Sequence, residues 1–125
     1  SYKEELIPVS KQPWQGALRT IPFILYNKGS LTREYIDASF TKKTLRPHVL
    51  VESTSPAFIK ELALAGSGVA LLPAREIERE LLNHKLITQV LPIKFYRTVA
   101  VYVKNENGIT LADPFVTELI DFLRK

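Results

Sequence analysis

The sequence predicts an α/β protein with a mainly parallel sheet, and three observations lead to that prediction. Short apolar runs rich in β-branched and aromatic residues alternate along the chain with stretches of helical periodicity. Glycine and proline separate these runs, as at Gly66, Gly68 and Pro73. One complete strand–helix–strand unit can be followed without a break from Leu50 to Pro73.

Each element has its own local justification. Ser30 and Ser55 are suited to begin helices as N-caps, and Pro56 takes the first helical position, where its missing N–H costs nothing. Pro8 indicates the end of a strand or a sheet edge. The run from 95 to 104 alternates and is predicted to be the longest strand. Strands are predicted at 5–9, 22–26, 48–51, 69–72, 86–91 and 95–104, and helices at 31–42, 56–65, 74–83 and from 113 to the C-terminus.

Polar side chains collect where predicted strands are followed by helices. Ser53, Thr54 and Ser55 follow the third strand, and Asn27 and Ser30 follow the second. The carboxyl ends of parallel strands and the N-termini of helices are where open α/β sheets bind ligands, anions included. The alternative for Ser55 is helix capping alone, and for Asn27 and Ser30 a plain strand-to-helix turn, since phosphate-loop spacing is missing.

Composition excludes or disfavours several kinds of site and partner. The 125 residues carry a formal net charge of +4 and no cysteine, so disulfides and thiolate metal sites are excluded. Basic residues are interleaved with acids, which favours a solvated surface over a DNA-reading face. No apolar run reaches the roughly 20 residues of a membrane span, and we expect a cytoplasmic protein that has no membrane partner.

The segment Ala65-Gly66-Ser67-Gly68-Val69-Ala70-Leu71-Leu72-Pro73, after a Ser/Thr loop and a helix, carries a family resemblance. It resembles the effector-binding domain of LysR-type transcriptional regulators. The resemblance extends over essentially the whole chain. It implies a type 2 periplasmic-binding-protein-like fold, in which two α/β lobes are joined by crossing strands.

The resemblance also implies a domain organisation. Residues 10–92 would form most of lobe two, while 1–9 and 93–125 would supply the crossing strands and the closing strand and helix of lobe one. We expect a fragment of a longer regulator that lacks the first half of lobe one and the DNA-binding domain. The last helix would then dock on lobe two in another way or pair two chains, which predicts a homo-oligomer.

In the family the effector lies between the lobes, and the Ser/Thr loop of lobe two faces it. This implies Thr54 as the main ligand contact, with Ser53 and Ser55 beside it and Val9 and Ser10 as a further lining position. Asn27 and Ser30 complete the predicted set. The effector would be a small molecule, with an anion among the options, although the apolar Val9 argues against an inorganic anion.

The implied function is ligand sensing that modulates DNA binding through a helix-turn-helix domain elsewhere in the regulator. No catalytic residue, metal site or cofactor is predicted: Gly66-Ser67-Gly68 lacks the spacing of a nucleophile elbow, and His48 and His84 stand alone. Two alternatives remain at this point. One is a solute-binding protein of a transport system with the same fold, and the other is a small α/β enzyme. Trp14, the single tryptophan, would either line a ligand cleft or anchor a loop on the core.

Overall fold

The fold is described from a computed structural model, which covers residues 1–100 and the backbone of 102–105 and 108–111. The chain divides into two compact units. One unit comprises Glu5–Tyr96, and the other comprises Ser1–Glu4 together with the described residues from Arg97 onward. The α/β prediction is confirmed. The assignment of 10–92 to a single lobe stays a prediction.

The strands are β1 (Tyr2–Ser10), β2 (Pro22–Tyr26), β3 (His48–Ser53), β4 (Val69–Pro73), β5 (Ile87–Thr88), β6 (Phe95–Val99), β7 (Tyr102–Asn105) and β8 (Gly108–Leu111), and the helices are α1 (Leu31–Lys42), α2 (Pro56–Leu64) and α3 (Ala74–Leu82). The elements from β1 to β6 follow one another as the sequence patterns predict, with differences in length, whereas β8 is not among the predicted strands.

The sheet of the larger unit has the order β3-β2-β4-β1-β5. β2 is parallel to β3 and β4, whereas β1 is antiparallel to β4 and β5. All its strands except β1 therefore run in one direction. We call the edge where these parallel strands end the carboxyl edge, and the edge where they begin the amino edge. α1 and α2 both start at the carboxyl edge.

The core lies on and around this sheet. All five residues of β4 are buried, because a strand flanks it on each side and helices α2 and α3 pack against it. Phe40 of α1 contacts Phe23 and Phe95, with ring centroids 5.5 and 4.9 Å apart. Each such aromatic pair contributes about 0.5–1.5 kcal/mol beyond the burial of area. The fully buried large side chains are Phe23, Phe40, Phe95, Leu6, Ile24, Leu25, Ile36, Ile59, Leu71, Leu72, Ile77 and Leu86.

In the smaller unit, Glu4 of β1 and Arg97 of β6 form an ion pair of 2.6 Å between Arg97 Nη2 and Glu4 Oε1. β6 pairs with β1, and β7 and β8 form an antiparallel hairpin. A buried charge such as Glu4, which is 3% exposed, needs a partner of this kind because its desolvation is costly.

Three details differ from the sequence prediction. Pro8 does not end a strand: it lies inside β1, opposite Leu71, and its carbonyl accepts a 2.8 Å hydrogen bond from the Gln89 N–H. The predicted strand 95–104 is in fact two strands, β6 and β7. The alternation of side chains along the sequence does not reveal the break between them. β1, with nine residues, is longer than either. The predicted last helix and its docking lie outside the described residues.

The three described helices end in the same way. Each stops at a residue with positive φ, which is Thr44 (57°) after α1, Gly66 (83°) after α2 and His84 (58°) after α3. After α1, the N–H of Leu45 reaches back to the Phe40 carbonyl at 2.9 Å, and equivalent bonds follow the other two helices. This is the Schellman arrangement, which favours glycine at the positive-φ position. A β-branched threonine there is strained.

Gly68 is required for another reason. A Cβ placed on it would lie 2.4 Å from the carbonyl oxygen of Pro22, at the start of the neighbouring strand β2. The backbone that carries this oxygen is fixed by the pairing of β2 with β4 through Phe23 and Val69. A side chain at residue 68 therefore cannot be accommodated by rotating a neighbouring side chain.

We predict that Thr44→Gly raises the free energy of unfolding by roughly 0.5–1 kcal/mol, because it relieves a left-handed conformation that costs an L-residue about 1–2 kcal/mol. The reverse change, Gly66→Ala, is the matched control and lowers the free energy of unfolding by about 1 kcal/mol. Urea unfolding of both variants measures the difference. A loss of stability in Thr44→Gly would contradict the assignment of strain.

We also predict that Gly68→Ala lowers the free energy of unfolding by about 2–3 kcal/mol, because overpacking against fixed backbone is costly. Ser67→Ala, one residue earlier and half-buried, is the control and changes stability by less than about 0.5 kcal/mol. Thermal and urea unfolding test this. Equal midpoints for Gly68→Ala and the unmodified chain would show that the contact with Pro22 imposes no constraint.

Candidate functional site

Two strand-to-helix turns lie side by side at the carboxyl edge. Tyr26, the last residue of β2, is opposite Ser53, the last residue of β3. The pairing continues one residue further, since the Asn27 N–H donates to the Ser53 carbonyl at 3.2 Å. The turns at 27–30 and 53–55 therefore meet, as predicted for neighbouring parallel strands. The N-termini of α1 and α2 follow directly, so exposed ends of two helix dipoles are brought to one edge.

Helix capping occupies two of the four hydroxyls in these two turns. Ser30 Oγ accepts from the Arg33 N–H at 3.1 Å and donates to the Asn27 carbonyl at 2.9 Å. Ser55 Oγ accepts from the Phe58 N–H at 3.2 Å. Both serines are N-caps, as the sequence predicts. These hydroxyls already have partners, so a ligand would meet them as secondary contacts.

Ser53 and Thr54 differ in what they leave available. Ser53 Oγ accepts from the Ser55 N–H at 3.0 Å, which tightens the loop. Thr54 is exposed, and its hydroxyl makes no hydrogen bond with the part of the chain that the structure describes. Thr54 is therefore the hydroxyl of this loop that is available to bind something else.

Val9 and Ser10 lie apart from this group. Val9 is opposite Ala70 near the start of β4, and Ser10 is opposite Ile87 at the start of β5, so both are towards the amino edge. Each is 0% exposed, and Ser10 Oγ donates to the Gln12 carbonyl at 2.8 Å. The antiparallel direction of β1 separates them from Thr54. Their predicted ligand contact remains untested, and we leave them out of the candidate site.

A buried arginine stands behind the edge, and sequence reasoning missed it. Arg33, in the first turn of α1, has a side chain only 4% exposed. Its Nη1 donates to the Tyr26 carbonyl at 2.9 Å and lies 3.1 Å from Glu52 Oε1, and its Nε donates to Asp37 Oδ1 at 2.8 Å. Asp37 at i+4 was the available signal, since an arginine–aspartate pair at this spacing shares a helix face.

The contacts of Arg33 change the pKa of the Glu52 carboxylate. Hydrogen bonding from the Arg33 guanidinium holds the pKa of Glu52 below its ordinary value of 4.5, with partial burial opposing and the Lys28 backbone N–H assisting. The charged form is favoured in the folded state. Its contribution to stability is present above the unfolded pKa and is lost as the pH falls through the lowered value.

Apolar side chains flank the polar loop. Leu31, at the first position of α1, is 61% exposed, and Phe58, in the first turn of α2, is 49% exposed. Large exposed apolar residues next to available polar groups are typical of binding surfaces. The edge therefore offers one available hydroxyl, helix N-termini and apolar surface.

Trp14 lies elsewhere, at the amino edge, and it is half-buried against the core. The amide of Gln89 binds both backbone groups of Trp14, at 2.8 Å to its N–H and 2.9 Å to its carbonyl. Trp14 also lines a cavity of about 340 Å³, together with residues that follow the C-terminus of α2. This cavity is at the opposite end of α2 from Ser55. Anchoring of a loop on the core is thus observed, and Trp14 does not border the hydroxyl loop.

The described residues include no group of three or more histidine, cysteine, aspartate or glutamate side chains placed to hold a metal ion. Within the same part of the chain, no helix is long and apolar enough to cross a membrane.

Comparison with known proteins gives a consistent result. Residues 9–125 match the family model described as the LysR substrate binding domain. The HTH-type transcriptional regulator YfeR of Shigella flexneri is 26% identical over 101 residues, which is 81% of this chain and 32% of that protein. The chain thus spans about a third of the length of this relative.

Solved structures agree on the fold. The apo regulatory domain of HypT from Salmonella typhimurium has a TM-score of 0.63 at 20% identity, covering 98% of this chain and 61% of that one. The bromide-bound form of the same domain has a TM-score of 0.63 at 23% identity, covering 76% and 50%. The CcmR regulatory domain of Synechocystis PCC6803, in complex with 2-PG, has a TM-score of 0.59 at 21% identity, covering 97% and 62%.

These regulatory domains have the type 2 periplasmic-binding-protein-like fold, and the predicted fold class is confirmed. The antiparallel β1 within otherwise parallel strands is consistent with it. The family match covers nearly the whole chain. It also favours a regulator over a transport solute-binding protein. The chain therefore belongs to the LysR substrate-binding domain family.

Proposed function

We propose that this chain is the ligand-sensing part of a bacterial LysR-type transcriptional regulator, and that its effector contacts the carboxyl edge of the larger unit. Family membership supports the class of function. The meeting of two strand-to-helix turns at one edge supports the place. Small-molecule sites in α/β folds form outside the carboxyl ends of strands for the same geometric reason.

Thr54 carries the proposal. Its neighbours Ser53 and Ser55 are hydrogen-bonded within the loop, while Thr54 is exposed with its hydroxyl available. A hydroxyl can donate to a carboxylate or accept from a ligand N–H or O–H. Thr54 would be the direct contact, and Ser53, Ser55, Asn27 and Ser30 would order the surrounding backbone.

The chemistry of the edge favours a small organic acid. The N-termini of α1 and α2 favour a negatively charged group, and Lys28 is exposed in the turn before α1. Leu31 and Phe58 offer apolar contact that an inorganic anion would not use. Regulatory domains with the same fold have been solved with bromide in HypT and with 2-PG in CcmR.

Effector binding would act on transcription through a DNA-binding domain outside this chain. Such a switch requires different affinity for two states of the regulator, a coupling typically of about 1–3 kcal/mol. Homo-oligomerisation and a cytoplasmic location belong to the same proposal. The proposed role is binding, with no reaction performed by the chain.

We predict that Thr54→Val weakens effector binding roughly 3- to 10-fold, because it removes one hydrogen bond worth about 0.5–1.5 kcal/mol while keeping the side-chain shape. A thermal-shift panel of acetate, succinate, benzoate, phosphate and bromide first finds a stabilising compound. A ligand present at about 100 times its Kd adds roughly 2.7 kcal/mol of stability, which is readily detected.

Thr88→Val is the matched control, since Thr88 is an exposed strand residue paired with Val9, away from the Thr54 loop. Its dissociation constant should equal that of the unmodified protein. If the stabilising compound binds Thr54→Val as tightly as the unmodified protein, the site assignment is wrong. If a longer protein that carries both lobes binds no small molecule, the proposed sensing role is wrong.

A further inference from the structure

Arg33 is the charged side chain at the carboxyl edge that is almost fully buried. It is 3% exposed, and it belongs to the first turn of α1, whose N-cap is Ser30. Burying a guanidinium is costly unless its donors are satisfied and its charge is matched. The reason for its position should therefore be found in its contacts.

The contacts of Arg33 are all within the protein. Its positive charge faces two carboxylates, Glu52 at 3.1 Å from Nη1 and Asp37 at 2.8 Å from Nε. Its Nη1 also donates to the Tyr26 carbonyl at 2.9 Å. Two negative charges thus outweigh one positive charge, and the guanidinium is covered. Arg33 is consequently unsuited to bind an anionic ligand directly.

These contacts join three elements at one point. Tyr26 is the last residue of β2, Glu52 is the penultimate residue of β3, and Arg33 itself belongs to α1. The Lys28 backbone N–H lies near the same carboxylate and helps to lower the pKa of Glu52. One side chain therefore ties both strand ends to the turn at 27–30, immediately before the Thr54 loop.

We propose that Arg33 is a positioning residue for the effector site: its buried fork fixes the ends of β2 and β3 so that the Thr54 loop and the turn at 27–30 keep one relative placement. This inference rests on the proposed function, which makes this edge an effector site. Its geometric basis is the set of contacts that Arg33 makes. A preorganised edge binds a ligand more tightly because less ordering has to accompany binding.

The planar fork of arginine matters here. A lysine would keep the charge, but its compact ammonium cannot span Asp37 on one side and both Tyr26 and Glu52 on the other. Arg33→Lys therefore keeps the positive charge of residue 33 and removes the planar set of hydrogen-bond donors. Arg79→Lys, an exposed position on α3, is the control for the same chemical change.

The first measurement follows the Lys28 amide by NMR as a function of pH. Its chemical shift reports the ionisation of Glu52, because this amide lies near enough to the Glu52 carboxylate to contribute to its lowered pKa. In the unmodified protein and in Arg79→Lys the midpoint lies below 4.5. In Arg33→Lys the midpoint rises, since the guanidinium is the main cause of the lowered pKa. An unchanged midpoint would show that Arg33 does not hold Glu52, and the inference would fail.

The second measurement is amide hydrogen exchange, which needs no ligand. We expect Arg33→Lys to exchange at least 10-fold faster at Asn27 and Ser55, whose N–H groups both bind Ser53, with core amides such as Leu71 changed less. Arg79→Lys leaves all of them unchanged. Equal acceleration at Leu71 and at the edge would indicate a general loss of stability, and no acceleration would indicate no role. Either result overturns the positioning role.

The third measurement connects Arg33 to binding, using the member of the acid and anion panel that most stabilises the unmodified protein. Its dissociation constant should rise about 10-fold in Arg33→Lys and stay constant in Arg79→Lys. Unchanged affinity in Arg33→Lys would overturn the positioning role while leaving the proposed function intact. If a longer protein that carries both lobes binds no member of the panel, the proposed function fails, and the exchange measurement still decides whether Arg33 fixes the edge.

Discussion

The sheet of the larger unit depends on the insertion of one antiparallel strand. β1 pairs with β4 over four residues and with β5 over two, so it joins β5 to the rest of the sheet. Leu6 and Val9 of β1 are fully buried, and β1 pairs with the edge of β4 that faces away from β2. Without β1, β4 would be an edge strand with unpaired backbone groups. Pro8 is tolerated within β1 even though it has no N–H to offer.

The direction of β1 also decides where ligand chemistry can be placed. The parallel strands all end at one edge, and α1 and α2 both begin there, so backbone N–H groups of two helices converge on that edge. Ser30 and Ser55 satisfy part of this donor set as caps. The hydroxyl that capping leaves available is that of Thr54. β1 runs the other way, so its last residues, Val9 and Ser10, lie near the amino edge and within the core.

The sequence was a good guide to most elements that depend on local pattern. Apolar periodicity predicted β2, β4 and the three described helices, and a serine just before each of α1 and α2 predicted both N-caps. Pattern could not reveal that Pro8 lies within a strand, because that depends on whether a neighbouring strand needs a backbone N–H donor from residue 8. It could not reveal Arg33 either, because a single arginine on a helix is usually solvated, and its burial follows from the meeting of β2 and β3. The family resemblance groups Val9 and Ser10 with Thr54, and their ligand contact stays a prediction.

The two helices of the candidate edge share a design and differ at one position. Each follows a parallel strand, each has a serine N-cap, and in each the capping serine binds the N–H of the third helical residue. In α1 that residue is Arg33, which turns inward and joins the strand ends. In α2 it is Phe58, which is half-exposed. The same capping geometry thus places a buried arginine that joins the strand ends at α1, and an exposed apolar side chain at α2. Under the proposed function, changes at Phe58 would alter which ligands fit without disturbing the cap, because the cap requires only the backbone N–H of that residue. Changes at Arg33 act on the frame that both turns share. Selectivity is therefore expected to be set by the first turn of α2, and preorganisation by the first turn of α1.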